Sequence, residues 1–222
     1  RSMLSRHGVV VGPVRSLTGV RLSGGAGAGM SRLVAIKKAL ADVRRAHPHR
    51  KVFLATQSAG GRMVAHLFSG MWQTKPKKDG QCARFPLGVV PESGGAASAG
   101  IIKKAKALIE DYPEFCNPEC SIPTGVCGLM IFGYPLAHKT QDRSVIFSSI
   151  KPSCPPLLFI TGDKDDMGRG LESALAKCHA DVSTTLVRVP GAGHDCWNPY
   201  NEQRHELMHT AIASFIRKCS AE

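Results

Sequence analysis

Short apolar runs alternate with helically spaced segments along this chain. Val52 to Ala55, Val126 to Phe132, Pro156 to Thr161 and Thr184 to Val189 have the length and composition of buried strands. Between them the period changes. Met30 to Ala46 places Leu33, Ile36, Leu40 and Val43 on one helical face, with Val34 beside them and Lys37, Lys38, Arg44 and Arg45 elsewhere. His47-Pro48 ends that helix, because proline disfavours the helical conformation in the residue before it. A second helix is expected from about Ala59 to Gly70 and a third from Gly170 to His179. Glu202 to Lys218 reads as a final helix, with Leu207, Met208, Ala211, Ile212, Phe215 and Ile216 forming a stripe two residues wide. Near the start, Gly8-Val9-Val10-Val11 reads as a strand over 8–12, followed by the Gly-rich loop Ser23 to Gly29. Residues 1–28 have a competing reading as an organelle transit peptide, since they contain Arg and Ser and no acid. Strands alternating with helices predict an α/β fold with a parallel sheet covered on both faces.

The rhythm breaks over 74–123. Lys75 to Gly80 is a polar loop, Gly88 to Gly100 is rich in Gly, Ser and Ala, and a helix is expected from Ala99 to Asp111 before Pro113, Pro118 and Pro123. This stretch is read as an insertion, either a cap or a flexible excursion, in a single domain spanning 1–222. At 222 residues one core is enough. No apolar run approaches the roughly 18–20 residues of a membrane span.

The net charge of +12 is unevenly placed: residues 1–74 hold twelve Lys/Arg and one acid, Asp42. A basic surface of this kind suits nucleic acid or an anionic membrane. The scatter of the cations, and the absence of any aromatic residue before Phe53 to stack on bases, argue instead for a solvated face. The eight cysteines are dispersed, with no CxxC pair. Cys116, Cys120, Cys127 and His138 lack the compact spacing of a zinc site, so no metal is expected. Free thiols are the default, and disulfides within 74–128 are the alternative in an oxidising compartment.

The chemistry concentrates at three turns. Thr56-Gln57-Ser58-Ala59-Gly60-Gly61 joins a strand to a helix through a serine set among small residues. Such a turn raises a hydroxyl above the sheet and points the N–H of the next residue, Ala59, at a developing oxyanion, while Gly60 and Gly61 allow close packing. Gly162-Asp163-Lys164-Asp165-Asp166 follows the third of the four runs, at the carboxyl end of a strand, where α/β sheets place function. Three carboxylates compete there; the resemblance to α/β-hydrolases, which often show Gly-x-x-Asp at this turn, implies Asp165. Pro190-Gly191-Ala192-Gly193-His194 follows the last strand. His194 is the only one of nine histidines in such a context. The chain order Ser58, Asp165, His194 matches a Ser–acid–His triad.

Together with Gly133-Tyr134-Pro135-Leu136, these motifs resemble the dienelactone-hydrolase-like branch of α/β-hydrolases. More narrowly, the chain is similar to the family of the testis-expressed hydrolase-like protein and subunit three of the nonspecific-lethal chromatin complex. The S-x-G-G-R elbow of that family is matched by Ser58 to Arg62. The likeness covers about residues 1–73 and 124–219. It implies five parallel strands, 8–12, 52–56, 126–132, 156–161 and 184–189, with the strand ending at Thr56 central. Thr56 stands where family members usually have Gly and is expected to crowd the elbow. Earlier strands and a His-Gly-rich loop, which would supply a second oxyanion donor, have no counterpart here. The expectation is a partial hydrolase fold, a fragment or a natural truncation, with weak or no esterase activity. The resemblance implies a serine hydrolase of ester, thioester or similar acyl bonds, needing no cofactor and taking a small acyl substrate. The alternative is a hydrolase-like module for protein contacts. Nucleic acid ranks last among the partners. A cytoplasmic location is expected, with nuclear or organellar ones as alternatives.

Overall fold

The computed structural model describes residues 26–73, 84–86, 125–137 and 142–221, with isolated helical positions at 99, 102, 103, 106 and 110. In chain order the elements are α1 (Ala26–Ala46), β1 (Val52–Gln57), α2 (Ala59–Ser69), β2 (Met71–Gln73), β3 (Arg84–Pro86), β4 (Val126–Phe132), β5 (Leu157–Gly162), α3 (Leu171–Leu175), β6 (Thr184–Val189) and α4 (Glu202–Ala221). Short 3-10 turns occupy Ser144–Ser149 and Asp166–Gly168.

Strands β1, β4, β5 and β6 pair in that order, each parallel to the next. The pleat divides their side chains between two cores. Leu129 and Ile131 of β4 join Leu157 and Phe159 of β5 under α1 and α2, with Leu33, Leu67 and Phe68 fully buried among them. Met130 and Phe132 join Leu158 and Ile160 on the other face, under Met208, Ile212 and Phe215 of α4. Each such side chain contributes about 1.5–3 kcal/mol by leaving water. The fold is therefore α/β, a parallel sheet with helices on both faces. Among the described residues β1 is the end strand of the sheet, with β4 beside it, whereas a central place was expected. The segment 8–12, expected as a further parallel strand, lies outside those residues, as do most of 74–123 and Cys116, Cys120 and His138 of the rejected metal set.

Several boundaries differ from expectation. Helix α1 begins four residues early, at Ala26, because the Ala/Gly run before Met30 has no apolar period to mark it. The expected helix 170–179 shrinks to α3, Leu171–Leu175, entered from Gly170 in the left-handed conformation. On α4, Met208, Ile212 and Phe215 are buried with Cys219, Ala211 and Ile216 pack against them partly buried, and of the expected stripe only Leu207 is exposed. Val43, assigned to the buried face of α1, is exposed too. Strands β2 and β3 pair antiparallel, with Trp72 opposite Phe85. Three-residue strands are too short to display a period, so this pair was not anticipated. Among the described residues no helix is long and apolar enough to cross a membrane.

His66 of α2 is 3% exposed, and its Nδ1 lies 3.0 Å from the Met71 carbonyl. Burial pushes its pKa down to about 4, the carbonyl opposes part of that fall, and Arg62 adds to it. The unfolded chain therefore takes up this proton first. The contribution to stability is complete above the ordinary value of 6.5 and is lost as pH falls toward 4. A gap of that size corresponds to about 3 kcal/mol. His66→Asn, which keeps an N–H for the carbonyl, is expected to flatten the decline of Tm between about pH 6.5 and 4.5. A variant curve parallel to the wild type would assign that decline to other groups.

Candidate active site

The turn between β1 and α2 holds Ser58 at φ 50° and ψ −118°, the one non-glycine residue with positive φ among those described. A backbone held there costs on the order of 1–3 kcal/mol and persists only where its surroundings over-determine it. Two contacts do so. The Ser58 N–H donates to the Phe132 carbonyl at the end of β4 (2.9 Å), and Gly61 N–H donates to the Ser58 carbonyl (3.0 Å). The helix must then pass close over the sheet. A Cβ on Gly61 would stand 2.6 Å from Ile131 Cγ2 and 3.3 Å from Tyr134 Cδ2, so only glycine fits. Thr56 presses from below: a Cβ on Gly60 would lie 3.3 Å from the Thr56 Cβ. The Thr56 hydroxyl is buried there without a hydrogen-bond partner.

A serine before a helix usually caps it with its side chain. Ser58 does not. Its Oγ turns instead to His194 Nε2, at 2.9 Å. His194 Nδ1 sits astride the Asp165 carboxylate, 3.1 Å from each oxygen. A carboxylate only accepts, so Nδ1 carries the proton and Nε2 is left to accept from the Ser58 hydroxyl. Ser58, His194 and Asp165 thus stand in one hydrogen-bonded line, drawn from three loops at the carboxyl end of the sheet. The Asp165 side chain is fully buried, while that of His194 keeps 28% of its surface. Ala59 opens α2 directly after the serine and is exposed.

The two neighbouring acids have other partners. Asp163 Oδ1 accepts from Gly191 N–H at 2.7 Å, which ties the turn after β5 to the loop after β6. Asp163 N–H to Val189 and Lys164 N–H to Ala192 continue that tie. Asp166 pairs with Arg169 at the surface. The histidine loop is anchored from below by Trp197, whose ring lies 4.6 Å from that of Phe132. Gly133, in the left-handed region at φ 56°, lets the strand end pass under that loop, since a Cβ would run into the His194 carbonyl. Tyr134 beside it is buried against Phe147 and Phe159. Burial holds its hydroxyl well above the ordinary phenol range. The Pro135 carbonyl accepts from Arg143 at 2.6 Å.

Several thiols are held neutral by burial. Cys127, Cys154, Cys178 and Cys196 are free thiols. Burial pushes Cys154 up to about 12 and Cys178 and Cys196 up to about 11, so little thiolate forms at neutral pH. Among the described residues no group of three His, Cys, Asp or Glu could hold a metal ion. Sequence reasoning overlooked Thr161 of β5, whose hydroxyl meets Asp165. The available signal was a lone hydroxyl closing an otherwise apolar strand.

No protein-family model matches the chain, and neither does any curated protein sequence. Solved structures are similar at low identity. A predicted CIB-like hydrolase from Thermoplasma acidophilum is 13% identical with a TM-score of 0.42, over 84% of this chain and 60% of that one. An esterase from Rhizomucor miehei is 14% identical with a TM-score of 0.47, over 85% and 59%. A propionate-bound esterase from Thermogutta terrifontis is 15% identical with a TM-score of 0.47, over 90% and 68%. This chain thus spans less than two thirds of the first two. Likeness of this degree decides nothing about activity.

The packing at the elbow is open to test. Gly61→Ala should cost about 1–3 kcal/mol in urea unfolding, as overpacking against a β-strand does. A Cβ at Gly193, next to the histidine, would meet nothing within 4 Å. Gly193→Ala should therefore stay within about 0.5 kcal/mol of the wild type. Equal losses in the two variants would contradict the close approach of α2 to Ile131.

Proposed function

We propose that this protein is a serine hydrolase acting on an ester, thioester or similar acyl bond. The observation that carries the reading is the continuous line from Ser58 Oγ through both nitrogens of His194 to the buried Asp165. In this mechanism Ser58 Oγ attacks the carbonyl carbon while His194 Nε2 takes its proton. Asp165 holds the ring in the tautomer that can accept, and stabilises the imidazolium. The negative charge on the former carbonyl oxygen falls near the Ala59 N–H at the start of α2, where the helix's unpaired amide groups favour an anion. His194 then returns the proton to the leaving group. Water, activated by the same nitrogen, releases the acid from the acyl-enzyme. A small acyl compound is the substrate class this chemistry requires.

Ser58 is expected to react with a fluorophosphonate probe, and the protein to turn over a short-chain aryl ester. Ser58→Ala should abolish labelling. Asp165→Asn should lower kcat about 10⁴-fold, as loss of the orienting carboxylate does in such triads. Labelling that survives Ser58→Ala, or a wild-type protein inert to both reagents, would overturn the proposal.

A further inference from the structure

Strand β5 reads Leu157-Leu158-Phe159-Ile160-Thr161-Gly162, and every residue in it is buried. Thr161 is the only one with a polar side chain, and its exposure is 0%. A hydroxyl placed where no water reaches costs stability unless it is hydrogen-bonded. Valine would occupy the same volume without that demand and suits a strand equally well. The hydroxyl must therefore be explained by what it touches. It donates to Asp165 Oδ2 at 2.9 Å.

That bond completes the coordination of the carboxylate. Oδ1 accepts from the Met167 N–H at 2.9 Å. The His194 Nδ1 proton is shared between both oxygens. Without Thr161, Oδ2 would keep only its half of that shared proton, and the carboxylate could rotate about its Cβ–Cγ bond. Gly168 closes the remaining side: a Cβ there would stand 2.9 Å from both Asp165 Oδ2 and Thr161 Oγ1. Thr161 is rigidly held, because its strand continues the parallel register with Arg188 of β6.

We propose that Thr161 is a positioning residue of the hydrolase, whose hydroxyl fixes the plane of the Asp165 carboxylate and through it the orientation of the His194 ring. The inference rests on the serine-hydrolase reading for its kinetic consequences but not for the contact itself. It predicts that the hydroxyl, not the methyl group, is what the site needs.

Two substitutions separate these. Thr161→Val keeps shape and removes the hydroxyl; Thr161→Ser keeps the hydroxyl and opens a small void. The hydrogen bond ends on a charged group, so Thr161→Val should lower kcat by about 10–100-fold, with KM changed by less than about twofold. Thr161→Ser should retain most of kcat while losing some thermal stability. Thr161→Ala carries the same kinetic expectation as Thr161→Val should valine not be accommodated. The low-field proton resonance of His194 Nδ1 gives a readout independent of turnover. It should shift or broaden in Thr161→Val and be preserved in Thr161→Ser. A valine variant with wild-type kcat, a serine variant slower than the valine one, or one unchanged resonance in all proteins would overturn the proposal. If the wild type neither labels nor turns over, the hydrolase reading fails alone, and the resonance still decides the role of Thr161.

Discussion

The left-handed turn at Ser58 is the constraint on which the rest of the site depends. A positive φ on a non-glycine residue does not survive in isolation. Here it is sustained from two sides, by the Phe132 carbonyl below and by the approach of α2 over Ile131 and Tyr134. Loss of close packing at Gly61 would release the turn, and the hydroxyl would become available to cap the helix. The strain and the packing are therefore one device. It aims Oγ away from the backbone it would otherwise bond and toward His194.

The second partner is delivered by the parallel sheet. Strands β5 and β6 run side by side, and their following loops stay together through bonds from Asp163, Lys164 and Gly191. The tie matters because Asp165 and His194 are separated by 29 residues and must meet within a fraction of an ångström. Trp197 on Phe132 and the Cys196 thiol on the Ile160 carbonyl root the histidine loop in the core under α4. Phe132 thus serves both halves of the arrangement: its carbonyl holds the serine turn and its ring supports the histidine loop.

Burial then sorts the ionisable groups. Cys154, Cys178, Cys196 and Tyr134 are held in their neutral forms by the same apolar core that carries the sheet. His66 is kept neutral well below the pH at which histidine ordinarily takes up a proton. His194 differs in geometry: it remains partly exposed and faces a carboxylate. One histidine serves packing and the other keeps a partly exposed ring beside Ser58, a distinction made by location alone.

Much of this was legible in the chain. Strands β1, β4, β5 and β6 announce themselves as apolar runs because both of their faces are buried, and helices α1, α2 and α4 through their period. The serine turn shows as small residues between a strand and a helix, since nothing larger than glycine fits at Gly61. Those are local constraints, and local constraints leave marks in sequence. What the sequence left open was long-range. Whether Asp163, Asp165 or Asp166 faces His194 depends on which side of a turn meets a loop 29 residues away. The extent of α1, the exposure of Leu207 and the pairing of β2 with β3 likewise depend on what lies alongside each segment. Thr161 is the sharpest case. In sequence it is an ordinary β-branched residue in a strand, and only the fold brings its hydroxyl to the Asp165 carboxylate.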